Sequence, residues 1–312
     1  MTTPRIIFFG TPAFAREILN TLVEERYNVV AAVSQPDRPS GRKHKITPTP
    51  VHDFCLEHDI PCLQPEKLKD ASVEIASYKP DLILTCAYGQ FVPVSILQMP
   101  SLGCLNIHPS LLPKYRGGAP IQHAMMNGDD KTGVCLMEMT KAMDAGKIYA
   151  CYETSIGEDE TFAEVNERLI QLSCRLLKNN LPLYIEGKLP GKEQDESKVV
   201  LALNITKEEE KVSFKDEDLN HIYNHIRGLI DWPVAYGLIE GKRFKFHKVR
   251  KETKDVKEEP GTVLGFKDHA LEIACRGGIL KVYEMQLEGK KKMDADAFKN
   301  GYAHEVIGKV FA

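Results

Sequence analysis

The sequence predicts a doubly wound α/β domain with a mostly parallel, Rossmann-like sheet, followed by a small OB-like β-barrel domain. Three observations predict it. In the first part of the chain, short near-continuous apolar runs alternate with helix-length segments, as in a parallel sheet covered on both faces. A polar, apolar-poor stretch, KLPGKEQDESK, then interrupts the pattern. Beyond it, short runs with period-two alternation and frequent Gly take over. At 312 residues the chain is about twice a common single-domain length, which fits two domains. The expected boundaries are 1–188 for the first domain, 189–205 for a linker and 206–312 for the second.

Each element follows in order. RIIFFG and NVVAAVSQ are strand-like, and Pro12–Arg26 between them has helical spacing, with Phe14, Ile18 and Leu22 near one face. DLILTCAYG, GCLNIH and TGVCLMEM are further strands, each flanked by a helix-length segment. Glu160–Gly187 is a long amphipathic helix that ends the first domain. From about Val212 a helix near Asp216–Arg227 precedes VAYGLIEG, RFKFHKV, PGTVLGF, ALEIAC and ILKVYEMQLEG. The alternation Arg243-Phe244-Lys245-Phe246-His247 is that of a strand with one buried face. Several such strands in a short span suggest a small antiparallel barrel.

Composition bounds the function. Apolar residues make up 43% and charged residues 27%, ordinary for a soluble globular protein. The opening MTTPRIIFFG has too short an apolar run for a signal peptide, and no later run approaches membrane-spanning length. The eight cysteines show no CxxC pair and no zinc-like spacing, so they read as free, mostly buried thiols of a reducing, cytoplasmic compartment. Net charge is −3, yet RPSGRKHK (Arg38–Lys45) carries no acid, and Lys242–Lys257 carries eight Lys/Arg against Glu252 and Asp255. Either patch alone could be a solvated face. Two on an acidic chain point to a polyanionic partner.

Sheets of this kind bind ligands outside the carboxyl ends of their strands. There, after GCLNI, stands HPSLLPKYRGGAP. Asn106 and His108 are two residues apart, so on extended chain both side chains point to the same side. An amide beside an imidazole suits hydrogen-bond donation to the oxyanion of acyl transfer. Taken alone, N-x-H also describes a structural His ending a strand and an Asn capping a turn. Pro109, Pro113 and Gly117-Gly118 make a rigid loop before a helix beginning near Ala119, and such loops are usually functional. Asp144, in a turn with Gly146, could orient His108 or be an ordinary turn residue. Arg116 could meet an anion or bridge across the loop. A dinucleotide fingerprint is missing from FFGTPAFA, no P-loop occurs, and HIYNH lacks the Glu of a zinc-protease motif, leaving His221 and His225 as partly exposed helix residues.

NIHPSLLPKYRGGAPIQHAMMNGDDKTGVCLMEMTKAMDAG resembles the signature region of folate-dependent formyltransferases. The resemblance implies Asn106, His108 and Asp144 as the catalytic set and Ser110, Leu111, Leu112 and Pro113 as the folate-binding segment. Glycinamide ribonucleotide and sugar-nucleotide formyltransferases share parts of this region. SQPDRPSGRKHKITPTP resembles the insertion loop of the members that act on methionyl-tRNA, and HIRGLIDWPVAYGLIEGKRFKF resembles their barrel. Ile230-Asp231 before Trp232-Pro233 departs from the family's pattern at the domain junction. The implied reaction is formyl transfer from 10-formyltetrahydrofolate to the amine of initiator methionyl-tRNA. Arg38, Arg42, Lys43 and Lys45 would contact the tRNA, with Arg42 leading. No metal, no membrane and a monomer are expected. The competing readings are a formyltransferase for a small amine such as a sugar nucleotide, and a non-catalytic tRNA-binding protein.

Overall fold

The computed structural model describes residues 3–40 and 45–312. In chain order its strands and helices are β1 (Arg5–Gly10), α1 (Ala13–Glu24), β2 (Asn28–Val33), β3 (Arg38–Ser40), β4 (Lys45–Thr47), α2 (Pro50–Glu57), β5 (Cys62–Leu63), α3 (Ser72–Ser77), β6 (Leu82–Cys86), α4 (Val94–Leu97), β7 (Cys104–His108), α5 (Pro120–Met126), β8 (Lys131–Glu138), β9 (Ile148–Ser155), α6 (Phe162–Ile185) and α7 (Leu219–Gly228). There follow β10 (Tyr236–Ile239), β11 (Lys242–Thr253), β12 (Val263–Lys267), β13 (Ala270–Cys275), β14 (Gly278–Leu287), β15 (Met293–Asp294) and α8 (Ala295–Tyr302). The chain divides into two compact units. One runs to Pro120 and adds Thr132–Thr154 and Glu167–Leu203; the other joins Ile121–Lys131 and Ser155–Asn166 to Asn204–Ala312.

The first unit is built on a seven-stranded sheet in the order β5-β2-β1-β6-β7-β8-β9. From β5 to β7 all neighbours are parallel, and β8 runs antiparallel to β7. The expected mostly parallel sheet is what forms. Ile6, Ile7, Phe8 and Phe9 are all fully buried, so both faces of β1 are covered. Ile7 and Phe9 belong to the core that contains Ile75 of α3 and Ile96 of α4. Helix α1 buries Phe14, Ile18 and Leu22, the predicted stripe. The chain builds outwards from β1 to β2 and β5, then crosses back to add β6 and β7 on the other side. In sheets of this kind such a reversal marks where ligands bind, at the carboxyl ends of the central strands.

One feature adds to the sequence reading and another corrects it. The proline-rich segment after β2 forms a separate ribbon in which β3 pairs antiparallel with β4, Pro39 opposite Ile46. A two-stranded ribbon is all edge, where a missing proline N–H is tolerated. Cys135 and Cys151 are joined in a disulfide, which corrects the expectation of free thiols for this pair. The sheet places β8 beside β9 and brings the two Cα atoms to 4.2 Å, although 16 residues separate them in sequence. The other six cysteines are free.

The polar stretch read as a linker runs along this same unit. Ile148 and Lys192 exchange backbone hydrogen bonds of 2.8 Å, and Arg116 N–H donates to Val200 O at 2.9 Å.

The second unit has a six-stranded antiparallel sheet ordered β10-β11-β14-β13-β12, with β15 on β14. Phe244 and Phe246 of β11 point inward with Phe214, Phe298 and Phe311, as the alternation predicts. The carboxyl-terminal residues bond to both outer strands: Val263 N–H donates to Lys309 O, and Ala312 N–H donates to Leu238 O, each at 2.9 Å. This tail therefore joins the sheet's two edges and satisfies groups that an open sheet would leave unpaired. Helix α7 buries Leu219, Ile222, Tyr223 and Ile226, a helical stripe, and Asp218 caps it by accepting from His221 N–H. No helix among the described residues is long and apolar enough to cross a membrane.

Candidate active site

The site begins on β7, whose register sets Asn106 beside Thr85 of β6 and His108 beside Cys135 of β8. The Thr85 hydroxyl donates to Asn106 Oδ1 at 2.8 Å. That bond holds the amide by its acceptor end and turns its NH₂ donors away from Thr85. His108 is buried, and its Nε2 lies 2.8 Å from the carbonyl oxygen of Tyr115. A carbonyl can only accept, so Nε2 carries the hydrogen and the ring's free lone pair is on Nδ1. Nδ1 faces Asp144 Oδ2 at 3.8 Å. This is an ion contact when the ring is charged, and too long for a hydrogen bond.

The loop after β7 is braced from within. Ser110 N–H donates to His108 O at 2.9 Å, and Ser110 Oγ donates to Lys114 O at 2.7 Å. Leu112 is buried with Cys135 and Met137, and half-buried Ile148 packs against them. Of the four segment residues, Ser110 and Leu112 thus shape the loop, while Leu111 and Pro113 are half-exposed. Gly117 has φ +131°, and a Cβ there would run into the backbone carbonyl of Ala202. The loop passes too close to the 200–202 segment for any side chain at this point.

Asp144 sits in the turn between β8 and β9 with φ +48°. Its Oδ2 accepts from Gly117 N–H at 2.9 Å, so one carboxylate links the loop to the imidazole side. The turn itself is held by Gln194, whose Nε2 donates to Asp144 O and to Gly146 O, each at 2.8 Å. Gln194 Oε1 in turn accepts from Arg116 Nη2 at 2.9 Å, and the same guanidinium bridges to Glu196 at 2.7 Å. Hydrogen bonding to Arg116 holds the Glu196 carboxyl below its usual range. Arg116 is therefore committed to bracing the turn. Thr85, Gln194 and Glu196 were missed in the sequence: a lone Thr inside a buried strand and polar residues in a charged stretch carry no local signal.

Of the basic residues, Arg38 lies on β3 and donates to Glu66 at 2.8 Å, and Lys45 lies exposed on β4. Arg42 and Lys43 lie outside the described residues. The ribbon springs from Asp37, whose carboxylate accepts from Gln64 Nε2 at 2.7 Å, Thr49 N–H at 3.1 Å and His52 Nδ1 at 2.9 Å. Burial alone would raise the Asp37 pKa, but these donors outweigh it and the net shift is downward.

With this geometry in hand, the comparisons with known proteins are consistent with one another. Residues 4–181 match the family described as formyl transferase, and residues 204–303 match its C-terminal domain. The chain is 41% identical to a methionyl-tRNA formyltransferase of Mesoplasma florum over 309 residues, covering 98% of each. It is also 41% identical to one of Halalkalibacterium halodurans over 310 residues, again covering 98% of each. Among solved structures, HypX from Aquifex aeolicus in complex with tetrahydrofolic acid has a TM-score of 0.69 at 20% identity, covering 98% of this chain and 48% of that one. An N-formyltransferase from Helicobacter canadensis, in complex with folinic acid and dTDP-3-aminofucose, has a TM-score of 0.68 at 16% identity, covering 94% of this chain and all of that one. These structural likenesses show the fold. Both domain matches and the full-length identity show the family: this chain belongs to the formyltransferases, among the methionyl-tRNA formyltransferases.

Proposed function

We propose that the protein transfers the formyl group of 10-formyltetrahydrofolate to the free amine of initiator methionyl-tRNA. The observation that carries this reading is the likeness to methionyl-tRNA formyltransferases along 98% of the chain, the C-terminal domain included. The catalytic unit is the first domain (1–188), and the barrel (206–312) together with the basic residues Arg38, Arg42, Lys43 and Lys45 holds the tRNA.

Transfer is direct. The neutral methionyl amine attacks the formyl carbon; its C–N bond forms, the donor's N10–C bond breaks, and one proton passes from amine to N10. Asn106 NH₂ and a protonated His108 Nδ1 donate to the oxygen that gains charge on the way, the stronger donor being the cation. His108 Nε2 stays on Tyr115 O, so the ring cannot rotate away. Asp144 stabilises the imidazolium from 3.8 Å and, through a water, serves as proton acceptor. Leu111 and Pro113 are the half-exposed residues of the proposed folate segment. The reaction is that of a cytoplasmic monomer and needs no membrane.

The test is formyl transfer from 10-formyltetrahydrofolate to charged initiator tRNA, with elongator methionyl-tRNA and a dTDP-amino sugar as alternative acceptors. Selective formylation of the initiator is expected. Transfer to the sugar alone would overturn the reading.

A further inference from the structure

Among the described residues, one group of metal-ligating side chains converges away from the site above. Glu217, His221 and His225 each bring a ligand atom within 4.8 Å of the others. Their spacing explains how. His221 and His225 are one turn apart on α7, and Glu217 stands a further four residues back, just before the Asp218 cap. The acid missing after His221 in HIYNH is supplied from the preceding turn.

Two further features prepare the group for a cation. His225 is buried, and its Nε2 lies 2.6 Å from the carbonyl oxygen of Glu209. The carbonyl can only accept, so the lone pair of His225 is on Nδ1, and the ring is oriented as metal-bound histidines are by their outer partners. Carboxylates stand around the group: beyond burial and the effect of His221 on both partners, Asp216 and Asp218 act on Glu217, and Glu209 acts on His225.

We propose that Glu217, His221 and His225 form a binding site for a divalent transition cation, zinc foremost, which clips the turn before α7 to the helix. Two imidazoles and one carboxylate are a zinc-type donor set, whereas magnesium or calcium would call for oxygen alone. Zinc bonds of about 2.0–2.1 Å in tetrahedral geometry place ligand atoms roughly 3.4 Å apart. Closure from 4.8 Å falls to His221, which is exposed, and to Glu217, while His225 stays anchored. The fourth position is left to water. The site lies on α7 of the second unit and takes no part in formyl transfer.

The experiment uses the full chain, stripped with a chelator and titrated with zinc sulfate by calorimetry and by thermal melting. One equivalent should bind and raise Tm, as expected for any ligand of the folded state. His221→Ala and Glu217→Gln should each weaken binding by about tenfold or more and remove the Tm shift, with the metal-free Tm and formyl transfer unchanged. The proposal is overturned if the wild type takes up no saturable equivalent. It is overturned equally if His221→Ala binds as tightly as the wild type, or if blocking the free thiols with iodoacetamide abolishes uptake.

Discussion

At the scale of single residues, the proposed chemistry rests on how few degrees of freedom its two donors retain. Asn106 is held by Thr85 and His108 by the Tyr115 carbonyl, so both are set before substrate arrives. Preorganised donors of this kind are worth about 10²–10³ in rate each. Asn106→Ala should therefore lower kcat by about that factor with Tm unchanged; near-normal turnover would remove the amide from the reaction. Thr85→Val tests the orientation separately. Loss of one neutral hydrogen bond costs about 1 kcal/mol, so kcat should fall roughly fivefold while KM for the folate holds. Gly117→Ala carries a different cost, because φ +131° and the Ala202 carbonyl both oppose a Cβ. The loop must shift, Gly117 N–H leaves Asp144, and activity should drop at least as far as in Asp144→Ala. A Gly117→Ala enzyme of full activity would show that this tether is dispensable.

At the scale of elements, the ribbon β3–β4 and the strand β11 carry the basic charge. The prolines around Arg42 show that this segment leaves the sheet, but the pairing of Arg38–Ser40 with Lys45–Thr47 and its anchoring by Asp37 depend on Gln64 and His52, distant in sequence. If the basic segment of the sequence around Arg42 grips tRNA, Arg42→Ala should weaken kcat/KM for charged tRNA and lower the salt slope by about one counterion, leaving folate binding intact. Measurement at several salt concentrations that finds no change would take Arg42 out of recognition. On β11, burial and then the positive Lys292 hold the His247 pKa below its ordinary 6.5, and Lys245 adds to the effect against Gln286 and Glu284. The folded state thus keeps His247 neutral where the unfolded chain takes a proton. Its contribution to stability is full above about pH 6.5 and is lost as pH falls below it. The wild type should lose more Tm between pH 7.5 and 5.5 than His247→Leu does; parallel losses would rule the residue out as a source.

At the scale of the whole molecule, the division into units is not a single cut. Residues 121–131 and 155–166 pack with 204–312. Buried Arg227 donates to the carbonyls of Gly157 and Glu160 at 2.8 and 2.9 Å, and Tyr223 donates to Asp159 at 2.6 Å. A chain ending at residue 203 should therefore keep its parallel sheet yet lose amide protection over 155–166 in hydrogen exchange, with a lower Tm. Protection equal to that of the full chain would show these bonds to be inconsequential. The identity of β1, α1, β2, β6, β7, β8, α6 and α7, the alternation of β11 and the place of Asn106 and His108 at a strand's carboxyl end were determined by the sequence alone. Each depends on a local period or on neighbours within a few residues. The Cys135–Cys151 bond, the Arg116–Gln194–Asp144 brace, the Thr85 grip on Asn106 and the convergence of Glu217 on two histidines were decided only by the tertiary structure. All but the last join residues 16 or more apart in sequence, whose meeting depends on strand order and loop path; the last depends on where a turn aims one side chain. None of these leaves a periodic trace in the chain.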